Sequence, residues 1–146
     1  MENLQYKNDK LYILDQRLLP NEEKWIEIKN KEQAFDAIKD LAVRGAPAIG
    51  IFAGYSMALF SKDNDIYALK KYLDSSRPTA VNLSWATARI VKAYESGKNL
   101  LDEAIAIHKE DIEMCKRISE YGLSLLNDGR VGRRLTAAFA FGLRLG

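Results

Sequence analysis

Ala46-Pro-Ala-Ile-Gly-Ile-Phe-Ala-Gly-Tyr-Ser-Met-Ala-Leu-Phe60 is apolar around almost its whole circumference when wound as a helix. Ile49, Ile51, Phe52, Tyr55, Met57 and Leu59 point in every direction, so such a helix is stable only when other elements enclose it. The run is too short to cross a bilayer, which takes roughly 20 apolar residues, and Gly50, Gly54, Tyr55 and Ser56 interrupt it. It reads as the central buried helix of a soluble domain. Its start is set near Pro47, since proline suits the first helical position.

The segments on either side fit that centre. Leu11-Tyr-Ile-Leu-Asp15 suits a strand, and Trp25-Ile-Glu-Ile-Lys29 alternates apolar and polar side chains as a half-buried strand does. Pro20 and Asn21 supply turn chemistry between them. Asn30, with Gln33 at capping-box spacing, opens a helix whose apolar face is expected to hold Ala34, Phe35, Ile38, Leu41 and Ala42. After the central helix, Asp65 to Leu73 is amphipathic, with Ile66, Leu69 and Leu73 on one side. Ser75-Ser76-Arg77-Pro78-Thr79 then breaks the pattern. Asn82 is expected to cap a helix with Leu83, Ala86, Ile90 and Tyr94 inward, closed by Gly97. A long helix is expected from Leu100 to Leu126, with a stripe of Ile105, His108, Ile112, Cys115, Ile118 and Leu125, ended by Asn127-Asp128-Gly129. The fold class is therefore mainly α: a small amino-terminal antiparallel sheet followed by a helical bundle.

Composition narrows the functions. Hydrophobic residues make up 47% and charged residues 29%, ordinary usage for a soluble globular chain. The opening MENLQYKNDK lacks the apolar core of a signal peptide, and a cytoplasmic location is expected. One cysteine excludes an internal disulfide and a cysteine zinc site. The net charge of +2 conceals an acid-free stretch, residues 130–146, carrying Arg130, Arg133, Arg134 and Arg144; without those four the chain is slightly acidic. The main body thus gives no electrostatic footprint for nucleic acid. Asp102, Glu103, Glu110, Asp111 and Glu113 read as a solvated helix face. Trp25 and Trp85 read as core or interface anchors.

Chemistry concentrates in Val43-Arg-Gly-Ala-Pro-Ala-Ile-Gly50. A helix start carries unpaired N–H groups and the positive end of the helix dipole, which together attract anions. Gly45 removes a side chain that would keep a phosphate away, and Arg44 can add paired hydrogen bonds to its oxygens. Arg77 stands in a similar place, in an irregular stretch before the next helix. Two such turns could converge on one anionic ligand. Equally, Gly-Ala-Pro suits an ordinary helix–helix turn, and the two arginines could lie far apart on the surface. Spacing along the chain does not choose between these.

Leu41-Ala-Val-Arg-Gly-Ala-Pro-Ala-Ile-Gly50 and Ser76-Arg-Pro-Thr-Ala-Val-Asn-Leu83 resemble two signatures of the methylthioribose-1-phosphate isomerases. Ile13-Leu-Asp-Gln-Arg-Leu-Leu-Pro20 and Ala104-Ile-Ala-Ile-His-Lys-Glu-Asp111 fit the same family, so the resemblance runs from about Leu11 to Gly129. The superfamily also includes ribose-1,5-bisphosphate isomerases and regulatory subunits of the exchange factor for translation initiation factor two. The resemblance implies that Arg44, Gly45, Ala46 and Arg77 contact a sugar phosphate. It implies an aldose–ketose isomerisation in methionine salvage, no metal or organic cofactor, and a homodimer of full-length chains. The alternative it leaves open is a noncatalytic regulatory or sugar-phosphate-binding module.

The likeness stops at Gly129. In the family a Thr-His-Cys-Asn-Ala-Gly segment follows with the catalytic cysteine, and an aspartate comes later in a Rossmann-like domain. Here residues 130–146 match neither, so the expectation is a domain over 1–129 and an aberrant or truncated tail over 130–146, without catalytic residues. Cys115, on a helical stripe, reads as a small apolar side chain and not as the missing nucleophile. His108 on the same stripe has no catalytic partner at recognisable spacing.

Overall fold

A computed structural model describes residues 3–126. Asn3–Ile107 forms one compact unit, and residues 108–126 belong to a second. The first unit opens with a three-stranded antiparallel sheet in the order β1-β2-β3, formed by β1 (Leu4–Lys7), β2 (Lys10–Leu14) and β3 (Trp25–Ile28). Sequence reading misses β1. Its signal is the Asn8-Asp9 turn, where both residues take positive φ, at 50° and 59°, the conformation that a two-residue hairpin demands. Leu4 then pairs with Ile13, and Ile13 with Ile26, so one face of the sheet is apolar.

Behind β2 lies a buried acid. Asp15 accepts hydrogen bonds from Arg17 Nε at 2.8 Å, Arg17 Nη2 at 2.7 Å and the Arg17 backbone N–H at 3.1 Å. The guanidinium holds the Asp15 carboxyl below the usual carboxylate range, against the upward push of burial. A depressed carboxyl stabilises the fold fully above its unfolded value of about 4 and ceases to as pH falls through its lower folded value. Arg17→Met should therefore cost about 1.5 kcal/mol at neutral pH, the low end for a charged hydrogen bond because the arginine is partly exposed. In urea titrations the gap to wild type should close below pH about 4. A gap that persists or widens in acid would show that Asp15 is not the titrating group.

Among the described residues five helices follow: α1 (Lys31–Lys39), α2 (Ala46–Phe60), α3 (Ile66–Ser76), α4 (Val81–Glu95) and α5 (Leu100–Leu126). The Asn30 cap forms as expected, its side chain accepting from Gln33 N–H at 2.8 Å. The return bond differs by one residue, for Gln33 Oε1 accepts from Lys29 N–H. Helix α1 ends earlier than its apolar pattern suggests. Leu41 has φ +61° and is exposed, while Ala42 is buried beyond the helix end. The chain must reverse here to start α2, and the left-handed residue performs the reversal.

Helix α2 is the enclosed centre. Every residue from Ile49 to Ala58 is buried, and α2 packs most extensively on α4. Helix α3 runs three residues beyond the expected Leu73, to Ser76, because the hydroxyls of Ser75 and Ser76 turn back to Tyr72 O and Leu73 O. Arg77, not Ser75, is the break. In α4 the expected cap is displaced: Ala80 is the N-cap, with no side-chain bond, and Asn82 is already helical. Tyr94 is 53% exposed and Ala93 takes the inward place. Gly97, at φ +68°, closes α4 as expected; its N–H reaches Tyr94 O, and Lys98 N–H reaches Ala93 O.

Helix α5 has the expected length, and Ala104 and Ile107 are buried in the first unit. Beyond Ile107 the expected apolar stripe is not core. Ile112 is 41% and Ile118 59% exposed, and Cys115 is exposed too. A 3.6-residue pattern shows that a helix has an apolar face, not that something covers it. The Leu125 side chain, the Asn127-Asp128-Gly129 turn and the boundary at 129 lie outside the described residues. Trp25 and Trp85, at 40% and 50% exposure, are not core either. Glu103 is no solvated acid, since it accepts from Arg89 Nε at 2.6 Å. No helix among the described residues is long and apolar enough to cross a membrane.

Candidate functional site

Three of the five helices begin on a side-chain cap. Asn30 serves α1 and Asp65 serves α3; Asn99 Oδ1 accepts from Leu101 and Asp102 N–H groups at the head of α5. The other two, α2 and α4, have no side-chain cap and no acid in their first turns. These are the helices preceded by Arg44 and Arg77. Leu83 N–H in α4 already reaches Ala80 O at 3.0 Å and Pro47 in α2 has no N–H, so the remaining first-turn N–H groups and the positive dipole ends are left for another acceptor.

Glycine brings these two starts together. A Cβ added to Gly50 would lie 3.0 Å from the carbonyl oxygen of Asn82 and 3.4 Å from its Cβ. The second turn of α2 thus abuts the first turn of α4, backbone against backbone. Gly50 is four residues past Ala46 and Asn82 one past Val81, so the helix starts lie on the order of 10 Å apart. Asn82 was expected as a cap, and its place is as this contact surface. Gly50 was read only as an interruption of the apolar run. Its spacing to Gly54, which meets Ala104 and Ile107 of α5, is the sequence signal for close helix approach.

The turn before α2 is held from several sides. Gly45 has φ +90° and ψ 135°, a conformation costly for any residue with a side chain. Nothing lies within 4 Å of where its Cβ would be, so the space over the turn is open. Gln16 N–H donates to Ala42 O at 3.1 Å and Val43 N–H to Ala37 O at 3.1 Å, fixing the approach to the turn. Arg44 Nε donates to Leu41 O at 3.2 Å, and its residue is exposed, as are Gly45 and Ala46. Arg77 is half-buried, and its carbonyl accepts from Ala80 N–H at 3.0 Å. Below it, Thr87 donates to Asp74 at 2.8 Å, tying α3 to α4 and fixing the height of the Arg77 turn.

The arrangement offers open backbone donors, two adjacent positive helix ends and a guanidinium ahead of each. Among the described residues, no group of three or more His, Cys, Asp or Glu side chains is placed to hold a metal ion. Cys115 and His108 lie on α5 in the second unit.

The sequence profile of the initiation factor 2 subunit family matches residues 42–131. The chain is 50% identical over 120 residues to a protein of Methanocaldococcus jannaschii provisionally named methylthioribose-1-phosphate isomerase, covering 82% of this chain and 36% of that one. It is 46% identical to the 5-deoxyribose 1-phosphate isomerase of Petrotoga mobilis, over 83% of this chain and 40% of that one. Among solved structures, 5-methylthioribose 1-phosphate isomerase from Pyrococcus horikoshii superposes with a TM-score of 0.73 at 36% identity, over 82% of this chain and 39% of that one. The translation initiation factor eIF-2B subunit delta from A. fulgidus gives 0.72 at 35%, over 85% and 41%. The chain therefore spans about two-fifths of the length of these relatives.

Proposed function

Because this chain belongs to the initiation factor 2 subunit family, whose members here include named sugar-phosphate isomerases, we propose that it forms the phosphate-gripping part of an aldose–ketose isomerase. The substrate in this reading is 5-methylthioribose 1-phosphate, converted to 5-methylthioribulose 1-phosphate in methionine salvage. Arg44, Gly45, Ala46 and Arg77 contact it. The observation that carries the reading is the pair of uncapped helix starts, α2 and α4, brought side by side at Gly50 and Asn82. A phosphate dianion placed there accepts from the free N–H groups of the α2 turn, opposite the positive helix ends, while the arginines supply charge-assisted bonds. Gripping the phosphate positions the sugar carbons for isomerisation, which is where such binding contributes to rate.

Calorimetric titration with 5-methylthioribose 1-phosphate tests this. Arg44→Ala and Arg77→Ala should each weaken binding about tenfold to a hundredfold, the worth of one charge-assisted hydrogen bond pattern. Affinity unchanged in both folded variants would remove the site. The structural likeness to an eIF-2B delta subunit favours a second reading, a noncatalytic regulatory module. Stable association with translation initiation factor subunits, together with no sugar-phosphate affinity, would select it.

A further inference from the structure

Arg77 is half-buried, yet among the described residues its guanidinium has no hydrogen-bond or ion-pair partner. An acid stands close to it in the chain. Asp74 lies three residues earlier, near the end of α3, and side chains at that spacing on a helix are neighbours, about 5–6 Å apart at Cβ. The Asp74 carboxylate is turned elsewhere. Its Oδ1 accepts from Thr87 Oγ1 at 2.8 Å, and its Oδ2 accepts from Lys70 Nζ. Thr87 is 0% exposed, so its hydroxyl is shielded from water; the Ser84 carbonyl, at 3.1 Å, is a second acceptor beside it. Lys70 sits one turn before Asp74 on the same helix, with 30% of its side chain exposed.

We propose that Thr87 and Lys70 are positioning residues that hold Asp74 away from Arg77, so that this guanidinium stays available to an anion. Donor chemistry alone favours the other pairing. An arginine offers a carboxylate two parallel N–H donors, which neither lysine nor threonine matches. Were Asp74 paired with Arg77, an incoming phosphate would first have to displace a carboxylate. The apparent Kd would rise by the inverse of the fraction of Arg77 left free, about twofold to fivefold for a partly exposed ion pair. Thr87 thus has a role besides tying α3 to α4, and the two roles differ in what they need. A tie needs only an acceptor at position 74, which asparagine also supplies through its carbonyl oxygen. Withholding a charge matters only while position 74 is an acid. The withholding does not depend on which anion binds; that the anion is a sugar phosphate rests on the reading above.

NMR of the Arg77 Nε–H in the full 16.5 kDa chain reads the pairing with no ligand present. Exchange of that proton with water should slow about twofold to fivefold in Thr87→Val, in step with the paired fraction. It should slow likewise in Lys70→Met, which leaves the core untouched, and return to the wild-type rate in either when Asp74→Asn is added. Calorimetric titration with 5-methylthioribose 1-phosphate should find Thr87→Val weaker by the same factor. Asp74→Asn, alone or with Thr87→Val, should bind no more weakly than wild type. A tie alone would make the double variant as weak as Thr87→Val, and that result overturns the proposal. So does unchanged Arg77 exchange in both Thr87→Val and Lys70→Met. If exchange responds as expected while Arg77→Ala leaves affinity unchanged, the pairing proposal stands and the sugar-phosphate reading of Arg77 fails.

Discussion

Gly50→Val should destabilise the protein by about 2–3 kcal/mol and weaken sugar-phosphate binding at the same time. The valine Cβ would begin 3.0 Å from the Asn82 carbonyl oxygen, with backbone as the obstacle and no flexible side chain to move aside. Forcing extra methyl groups into such a contact costs about 1–3 kcal/mol. The better helix propensity of valine over glycine returns only a few tenths of that. Relief requires α2 and α4 to part where their starts meet, so the cradle widens with the strain. Urea denaturation measures the first effect and calorimetric titration the second. Gly50→Ala gives an intermediate case, since its single carbon needs only a small shift. Wild-type stability in Gly50→Val would mean that backbone contact does not hold the helix starts together.

Phe52→Ala should be more severe, costing about 3–5 kcal/mol. Phe52 is 0% exposed in the middle of α2, surrounded by the apolar side chains of the first unit. Truncation loses the transfer free energy of the ring and leaves a cavity that a helix enclosed on all sides cannot close by rotating. Domains of this kind carry about 5–15 kcal/mol in total, so a large part of the stability would go. The contrast is Tyr94→Ala. That ring lies at a position whose periodicity suggests core but is 53% exposed, and the change should stay within about 0.5 kcal/mol of wild type. Equal effects for Phe52→Ala and Tyr94→Ala would contradict the burial pattern.

The sequence by itself determined the centre of this protein and most of its helices. An all-apolar run at Ala46–Phe60 has one stable setting, inside, and local chemistry at Asn30 and Gly97 marks helix ends because the groups involved are within a few residues of each other. Family motifs likewise pointed to Arg44, Gly45, Ala46 and Arg77 as residues to watch. Only the tertiary structure decided that the α2 and α4 starts are neighbours, because Gly50 and Asn82 are 32 positions apart and their meeting depends on helix packing, not on local preference. Burial was decided there too: the periodicity of α5 is the same before and after Ile107, yet Ala104 and Ile107 are covered while Ile118 is exposed. Periodicity records which face of a helix is apolar. Coverage is a property of whatever lies opposite, and that is not written in the helix itself.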